Sequence, residues 1–182
     1  MEAAKKNNSF WSDMLRPVVV LVVICLMSSA LLGLTNAQTA PVIEENERIA
    51  AEQAMREALP EASSFEALPV NDELAAKGVT GIYQGNDGTG YVITAANKGY
   101  GGDVTVTVGF DAAGAILHVS ANVASETQGV GSKLGERDML DRFNGLTGNA
   151  NDVVLRAGAT YTSNAVRNGV NAALEAVTAV IG

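Results

Sequence analysis

Val104-Thr105-Val106-Thr107-Val108-Gly109-Phe110-Asp111-Ala112-Ala113-Gly114-Ala115-Ile116-Leu117-His118-Val119-Ser120-Ala121-Asn122-Val123 is the stretch on which the fold turns. Val104, Val106, Val108 and Phe110 alternate with Thr105, Thr107 and Gly109, the period of two expected of a strand with one buried face. After the short turn Asp111 to Gly114, Ala115, Leu117, Val119, Ala121 and Val123 form a second alternating series, with Ile116, His118, Ser120 and Asn122 on the other face. The two runs predict an antiparallel pair. His118 falls mid-strand on the mostly polar face, where a solvated histidine is the expectation.

Outward from this pair, β signals continue upstream and helical ones downstream. Val79 to Gln84 and Tyr91 to Ala96, separated by the turn-rich Gly85-Asn86-Asp87-Gly88-Thr89-Gly90, predict a hairpin. Glu61 to Lys77 reads as irregular or mixed, with Phe65, Leu68 and Val70 as short-strand residues. Downstream, Met139, Leu140 and Phe143 at helical spacing predict a short helix over 135–143 with these residues in the core, and Gly145 to Asn151 reads as a turn-rich connection. Val153, Val154 and Leu155 predict a short buried strand. From about Ser163 to Val180 the apolar residues Val166, Val170, Ala173, Leu174, Val177 and Ile181 fall on one helical face. The expected class is α+β, a mainly antiparallel sheet packed by helices.

The N-terminal part is different in kind. Val18 to Met27 is unbroken apolar sequence and, continued through Leu34, approaches the roughly 20 residues of a bilayer span. This predicts one transmembrane helix, retained as an anchor rather than cleaved as a signal peptide after Thr35-Asn36-Ala37, because the run exceeds the usual signal core of about 7–15 residues. Lys5, Lys6 and Arg16 precede the span and Glu44, Glu45 and Glu47 follow it, which places the N-terminus in the cytoplasm and the main domain outside it, in the periplasm. Phe10 and Trp11 stand where interfacial aromatics would sit. Beyond Pro41, apolar residues interleaved with Glu and Arg predict an amphipathic helix ended by Pro60. The expected organisation is 1–16 cytoplasmic, 17–37 transmembrane, 38–78 amphipathic helix and connection, and 79–182 the main domain.

Charge and cysteine narrow the functional classes. The net charge is −8, and from Gln38 onward nine Lys/Arg face eighteen Asp/Glu. That disfavours nucleic acid, whose binders need a basic patch. Cys25, the only cysteine, lies within the span, so a disulfide and a cysteine-based metal site are excluded within one chain. With His118 the only histidine, a multi-histidine metal site is excluded as well.

Two stretches remain. Ser125-Glu126-Thr127-Gln128-Gly129-Val130-Gly131-Ser132-Lys133 is a polar loop whose glycines permit close approach to a ligand, yet it lacks the rest of a dinucleotide fingerprint. Arg156-Ala157-Gly158-Ala159-Thr160-Tyr161-Thr162-Ser163 runs through a small-residue turn into the last helix, with three hydroxyls at its entrance. Unpartnered N–H groups and the positive end of the helix dipole favour an anion there. From the residues alone the stretch is either a helix cap or a phosphate seat.

Gly158-Ala159-Thr160-Tyr161-Thr162-Ser163 resembles the flavinylation motif of the FMN-binding domain found in the G subunit of Rnf-type electron transport complexes and in the C subunit of the sodium-translocating NADH:quinone reductase. Gly99-Tyr100-Gly101-Gly102 before the Val-Thr-Val-Thr strand, the turn at 111–114, the Glu126 to Gly131 loop and the final helix are similar to that family in the same order, from about Tyr91 to the C-terminus. Ala157 stands where the family commonly has Ser or Asp, and Gln128 where it commonly has Pro. The resemblance implies an FMN linked through its phosphate to Thr162, the last hydroxyl of the motif, with Gly158, Ala159 and Thr160 forming the rest of the seat. Glu126, Thr127, Gly129, Val130, Gly131 and Lys133 are then the expected flavin platform. It further implies an electron-transfer subunit of an ion-translocating ferredoxin:NAD oxidoreductase, with membrane and iron–sulfur subunits as partners and a flavin transferase for maturation. A free-standing extracytoplasmic FMN-binding carrier and a non-redox membrane-tethered module are the alternatives.

Overall fold

The computed structural model describes the backbone of residues 2–86 and 88–182, and side chains from Met14 onward except that of Asp87. Asp87 in the predicted turn, and the side chains of Lys5, Lys6, Phe10 and Trp11, therefore lie outside the described residues. The chain divides between Ile49 and Ala50 into two compact units.

The first unit is helical throughout its described length and belongs to helix α1, Glu2–Ala58. From Met14 this helix is long and apolar enough to cross a membrane, and Val18 to Met27 project their side chains outward. Such a segment has to satisfy its polar groups internally. Thr35 Oγ1 accordingly donates to the carbonyl of Leu31 at 2.9 Å and Thr39 Oγ1 to that of Thr35 at 3.0 Å. The separate amphipathic helix expected after Pro41 is not a separate element: α1 runs through Pro17 and Pro41. A proline forfeits one N–H bond to the preceding turn, and the helix is continuous on both sides of Pro41 despite that loss.

The second unit holds the sheet. Strands β1 (Phe65–Leu68), β2 (Val79–Gly85), β3 (Gly90–Lys98), β4 (Asp103–Asp111) and β5 (Ile116–Asn122) form an antiparallel meander in sequence order. The predicted hairpin is β2–β3, with Ile82 opposite Ile93, and the deciding stretch is β4–β5, with Val108 opposite Val119. A short helix α2, Asp72–Ala76, precedes β2; Asn71 caps it by accepting the N–H of Leu74 at 2.8 Å.

Alternation assigns the two faces. On one face Ile82, Ile93, Ala95, Val104, Val106, Val108 and Phe110 join a core with Val166, Val170, Ala173, Leu174 and Val177 of the last helix. Each Val, Leu, Ile or Phe among them contributes about 1.5–3 kcal/mol when fully buried. On the other face Val92 packs with Ala58 and Leu59, flanked by Met55, Phe65 and Tyr83, so the end of α1 covers that side of the sheet.

Between β5 and the last helix the chain forms a 3-10 turn (Ser132–Gly135), a one-turn helix α3 (Arg137–Leu140) and a second 3-10 turn (Asp141–Phe143) in place of the single helix expected over 135–143. Leu140 and Phe143 are in the core as predicted, while Met139 is half-buried. The strand expected at Val153–Leu155 does not form: only Leu155 is buried, and Val154 is exposed. Its carbonyls find side chains instead. Arg167 Nη2 donates to Val153 O at 3.0 Å and Arg142 Nη1 to Val154 O at 2.6 Å. Asn171 Oδ1 accepts the N–H of Ala150 at 2.7 Å. The last helix, α4, is Thr160–Ile181 and begins three residues earlier than its apolar periodicity indicates.

Candidate functional site

The early start of α4 puts the hydroxyl-rich motif inside the helix rather than before it. Gly158, at φ +86, turns the chain into the helix, and Ala159 is its N-cap with no side-chain capping bond. The first intrahelical bond runs from Ser163 N–H to Ala159 O at 2.8 Å. The N–H groups of Thr160, Tyr161 and Thr162 thus precede any intrahelical acceptor and sit at the positive end of a 22-residue helix. Capping, the simpler explanation of the three hydroxyls, does not account for them.

The hydroxyls diverge. Thr160 is exposed. Ser163 turns back, its Oγ 3.4 Å from the carbonyl of Arg156. Thr162 is buried, and its Oγ1 donates a hydrogen bond to Oε2 of Glu126, thirty-six residues earlier.

Glu126 is itself buried, only 5% exposed. Its Oε1 accepts the N–H groups of Tyr100 at 2.9 Å and Gly101 at 3.0 Å. Burial pushes this carboxyl up, but the hydrogen bonds from Thr162, Gly101, Tyr100 and Gly102 together outweigh it and hold the group below the usual carboxylate range. An ionised carboxylate is thereby fixed against the Thr162 hydroxyl.

The loop after Glu126 is tied to itself. The N–H groups of Val130, Gly131 and Ser132 converge on the carbonyl of Thr127 at 3.0–3.2 Å, and Leu134 anchors its far end in the core. This brings Gly131 against the Glu126–Thr162 pair. A Cβ there would lie 2.8 Å from both Cβ and Oε2 of Glu126 and 3.0 Å from Thr162 Oγ1, so the approach requires glycine.

A cavity of about 360 Å³ opens above this pair, lined by Tyr100, Glu126, Thr127, Val130, Gly131 and residues 158–162. That volume is in the range of small-molecule and cofactor sites, as is the mixture of apolar wall with a few polar groups. The structure thus gathers eight of the ten residues expected at the site: Glu126, Thr127, Val130, Gly131, Gly158, Ala159, Thr160 and Thr162. Gly129 and Lys133 do not line the cavity. Gly129 N–H is bound to Ser132 Oγ at 2.9 Å, and Lys133 lies in the following 3-10 turn.

Two lining residues were not among those expected. Tyr100 and Tyr161 are exposed, with ring centroids 6.2 Å apart and planes tilted by 45°. Their signal was position: Tyr100 lies in the glycine-rich turn before β4, and Tyr161 lies between the two threonines of the motif. His118 of β5 pairs with Gly109 of β4, away from the cavity, and no cluster of three potential metal ligands exists among the described residues.

Residues 99–175 match the family described as the FMN-binding domain. They contain β4, β5, the Glu126 loop and most of α4, so the class is an FMN-binding domain behind an apolar helix of membrane-spanning length. Residues 5–58 match the RnfG N-terminal region, which covers nearly the whole of α1. The chain is 30% identical to the G subunit of the Na(+)-translocating ferredoxin:NAD(+) oxidoreductase complex of Acetobacterium woodii, over 96% of this chain and 97% of that one. It is 27% identical to the G subunit of the proton-translocating ferredoxin:NAD(+) oxidoreductase complex of Clostridium ljungdahlii (89% and 90% covered). It is 28% identical to the G subunit of the ion-translocating oxidoreductase complex of Methanosarcina acetivorans (93% and 97% covered). The chain belongs to this family, the G subunits of Rnf-type ion-translocating oxidoreductase complexes.

Proposed function

We propose that this chain is the membrane-anchored flavoprotein subunit of an ion-translocating ferredoxin:NAD(+) oxidoreductase, and that its FMN is esterified through phosphate to Thr162. The observation that carries the reading is the placement of the Thr162 hydroxyl in the first, side-chain-uncapped turn of α4 at the foot of the cavity. The donor set fits FMN. The free N–H groups of residues 160–162 suit a phosphate, for which a helix N-terminus contributes about 0.3–1 kcal/mol when exposed and more when partly buried. Val130 and Ala159 offer apolar wall, and Tyr100 and Tyr161 offer planar faces to a planar ring.

FMN in this seat supplies the reversible uptake and release of electrons. The chain's own residues hold it. Thr162 would fix the phosphate end, Glu126, Thr127, Val130 and Gly131 would wall one side, and Tyr100 and Tyr161 would flank the ring. In the same reading residues 1–16 lie in the cytoplasm, 17–37 cross the inner membrane, and the part beyond, with its FMN domain from residue 79, faces the periplasm. Lys5, Lys6 and Arg16 before the apolar run and Glu44, Glu45 and Glu47 after it support that direction. A covalent link keeps the cofactor on a domain that faces away from the cytoplasm. The partners are the other membrane and iron–sulfur subunits of the complex, with a flavin transferase for maturation.

Co-expression with a flavin transferase tests the assignment. Thr162→Ala is expected to abolish the flavin fluorescence of the denatured chain. Undiminished fluorescence in that variant refutes the reading, and loss on Thr160→Ala instead moves the site.

A further inference from the structure

The three aliphatic hydroxyls and the Tyr161 phenol lie within four consecutive positions, Thr160 to Ser163, and only one of them faces a base. Thr160 and Tyr161 are exposed. Ser163 directs its hydroxyl at a carbonyl, which accepts a hydrogen bond but does not take up a proton. Thr162 alone donates to a carboxylate. That carboxylate is held for the purpose, one oxygen tied to the Tyr100 and Gly101 N–H groups and the other left to Thr162.

We propose that Glu126 is the proton acceptor that makes Thr162, and no neighbouring hydroxyl, the nucleophile in flavin attachment: the chain carries part of the catalytic apparatus for its own modification. This rests on the reading that FMN is esterified to Thr162. The co-reactant is a flavin adenine dinucleotide, presented by the transferase. Thr162 Oγ1 attacks the phosphorus on the flavin side, the new O–P bond forms, and the pyrophosphate P–O bond breaks. Adenosine monophosphate leaves with the bond's electron pair, and the hydroxyl proton passes to Glu126 Oε2.

The charges favour this sequence. Glu126 starts ionised, as its hydrogen bonds keep it. The product phosphodiester carries one negative charge beside it, and two adjacent anions disfavour one another. A proton retained on Glu126 removes that conflict and leaves the carboxyl able to donate toward the ester. Attachment removes the Thr162 hydrogen bond that helps hold Glu126 ionised and sets an anion beside it, and both changes raise the proton affinity of the carboxyl.

The test uses the full chain in detergent, a purified flavin transferase and flavin adenine dinucleotide, and follows covalent flavin by fluorescence of the denatured chain and by peptide mass. Glu126→Gln is expected to acquire flavin at least about 100-fold more slowly than wild type at neutral pH, the lower end of general-base contributions. The deficit shrinks as pH rises, because hydroxide replaces the missing base. A deficit constant with pH marks a purely structural loss and overturns the base role, as does a wild-type rate. If Glu126→Gln loses its cooperative melt, Glu126→Asp decides: it keeps the charge one carbon further back, and an intermediate rate supports the proposal while an unchanged rate overturns it. Wild type that acquires no flavin on Thr162 fails the functional reading itself. Wild type flavinylated on Thr162 with an unaffected Glu126→Gln fails only this inference.

Discussion

Replacing Gly131 by alanine adds one methyl group at the most crowded point of the site. The backbone there has φ −71 and ψ −37, which alanine adopts without strain, so the consequence is one of contact alone. The new Cβ would sit 2.8 Å from Glu126 Cβ and Oε2 and 3.0 Å from Thr162 Oγ1, where carbon contacts prefer about 3.5–4.0 Å. Neither neighbour retreats freely. Glu126 is tied to the N–H groups of Tyr100 and Gly101, and Thr162 is built into the first turn of α4. Overpacking of this kind costs about 1–3 kcal/mol, and the hydrogen bond to a charged group that it forces open is worth about 1.5–3 kcal/mol. The reduced freedom of the unfolded chain returns about 0.4–1 kcal/mol. The net loss, about 1.5–5.5 kcal/mol, lowers the melting temperature by about 5–25 °C at roughly 3–5 °C per kcal/mol for a folded unit of this size. The assay is the thermal melt of the full chain in detergent, paired with covalent flavin content after co-expression with the transferase, which should fall as well. Gly129→Ala is the control: its φ of +78 costs about 1–2 kcal/mol in strain, but nothing lies within 4 Å of the added atom and flavin content should hold. A Gly131→Ala chain with wild-type melting temperature and flavin content would refute the described packing around Glu126.

Other outcomes follow from the same geometry. The folded Glu126 carboxyl is held below its ordinary value of 4.5, so before flavin attachment its stabilisation is fully present above that pH and is lost as pH falls through the depressed value. Wild type should therefore exceed Glu126→Gln in melting temperature at pH 7, with the gap closing below about pH 4; a gap that persists in acid contradicts an ionised Glu126. Tyr161→Leu removes one wall of the cavity and a ring pair worth at most about 0.5–1.5 kcal/mol. Flavin attachment at Thr162 should be unchanged, while the flavin fluorescence of the native holoprotein rises as an electron-rich phenol is withdrawn; unaltered native fluorescence would take Tyr161 out of the flavin's surroundings.

Much of the fold was legible because its signals are periodic. Val104 to Phe110 and Val119 to Val123 announce β4 and β5 by alternation, and Val166 to Val177 announce α4 by its stripe. At the start of β5 the expected faces are exchanged: a register shift opposite Gly109 and Phe110 buries Ile116 and leaves Leu117 exposed. Where the pattern is short the sequence misleads. Strand β1 has four residues, half-buried only at its two ends; Phe65 and Leu68, read as short-strand residues, are those ends, while Val70, read with them, lies outside it. Val153 to Leu155 look like a strand on composition, yet their carbonyls are taken by Arg167 and Arg142, an alternative that depends on tertiary placement. Pro41 reads as a helix boundary, but one lost hydrogen bond does not stop a helix supported on both sides. At the site, each half of the constellation was visible as a motif, while the join between them was not. Glu126 and Thr162 are thirty-six residues apart, and only the folded meander brings the end of β5 to the start of α4.

The central claim is that Thr162 carries the flavin. The mass spectrum of the peptide containing Thr160 and Thr162, taken from the protein matured with its transferase, tests it most directly. The account predicts an added FMN phosphoester with fragment ions that place it on Thr162; an unmodified peptide, or the added mass on Thr160, would contradict it.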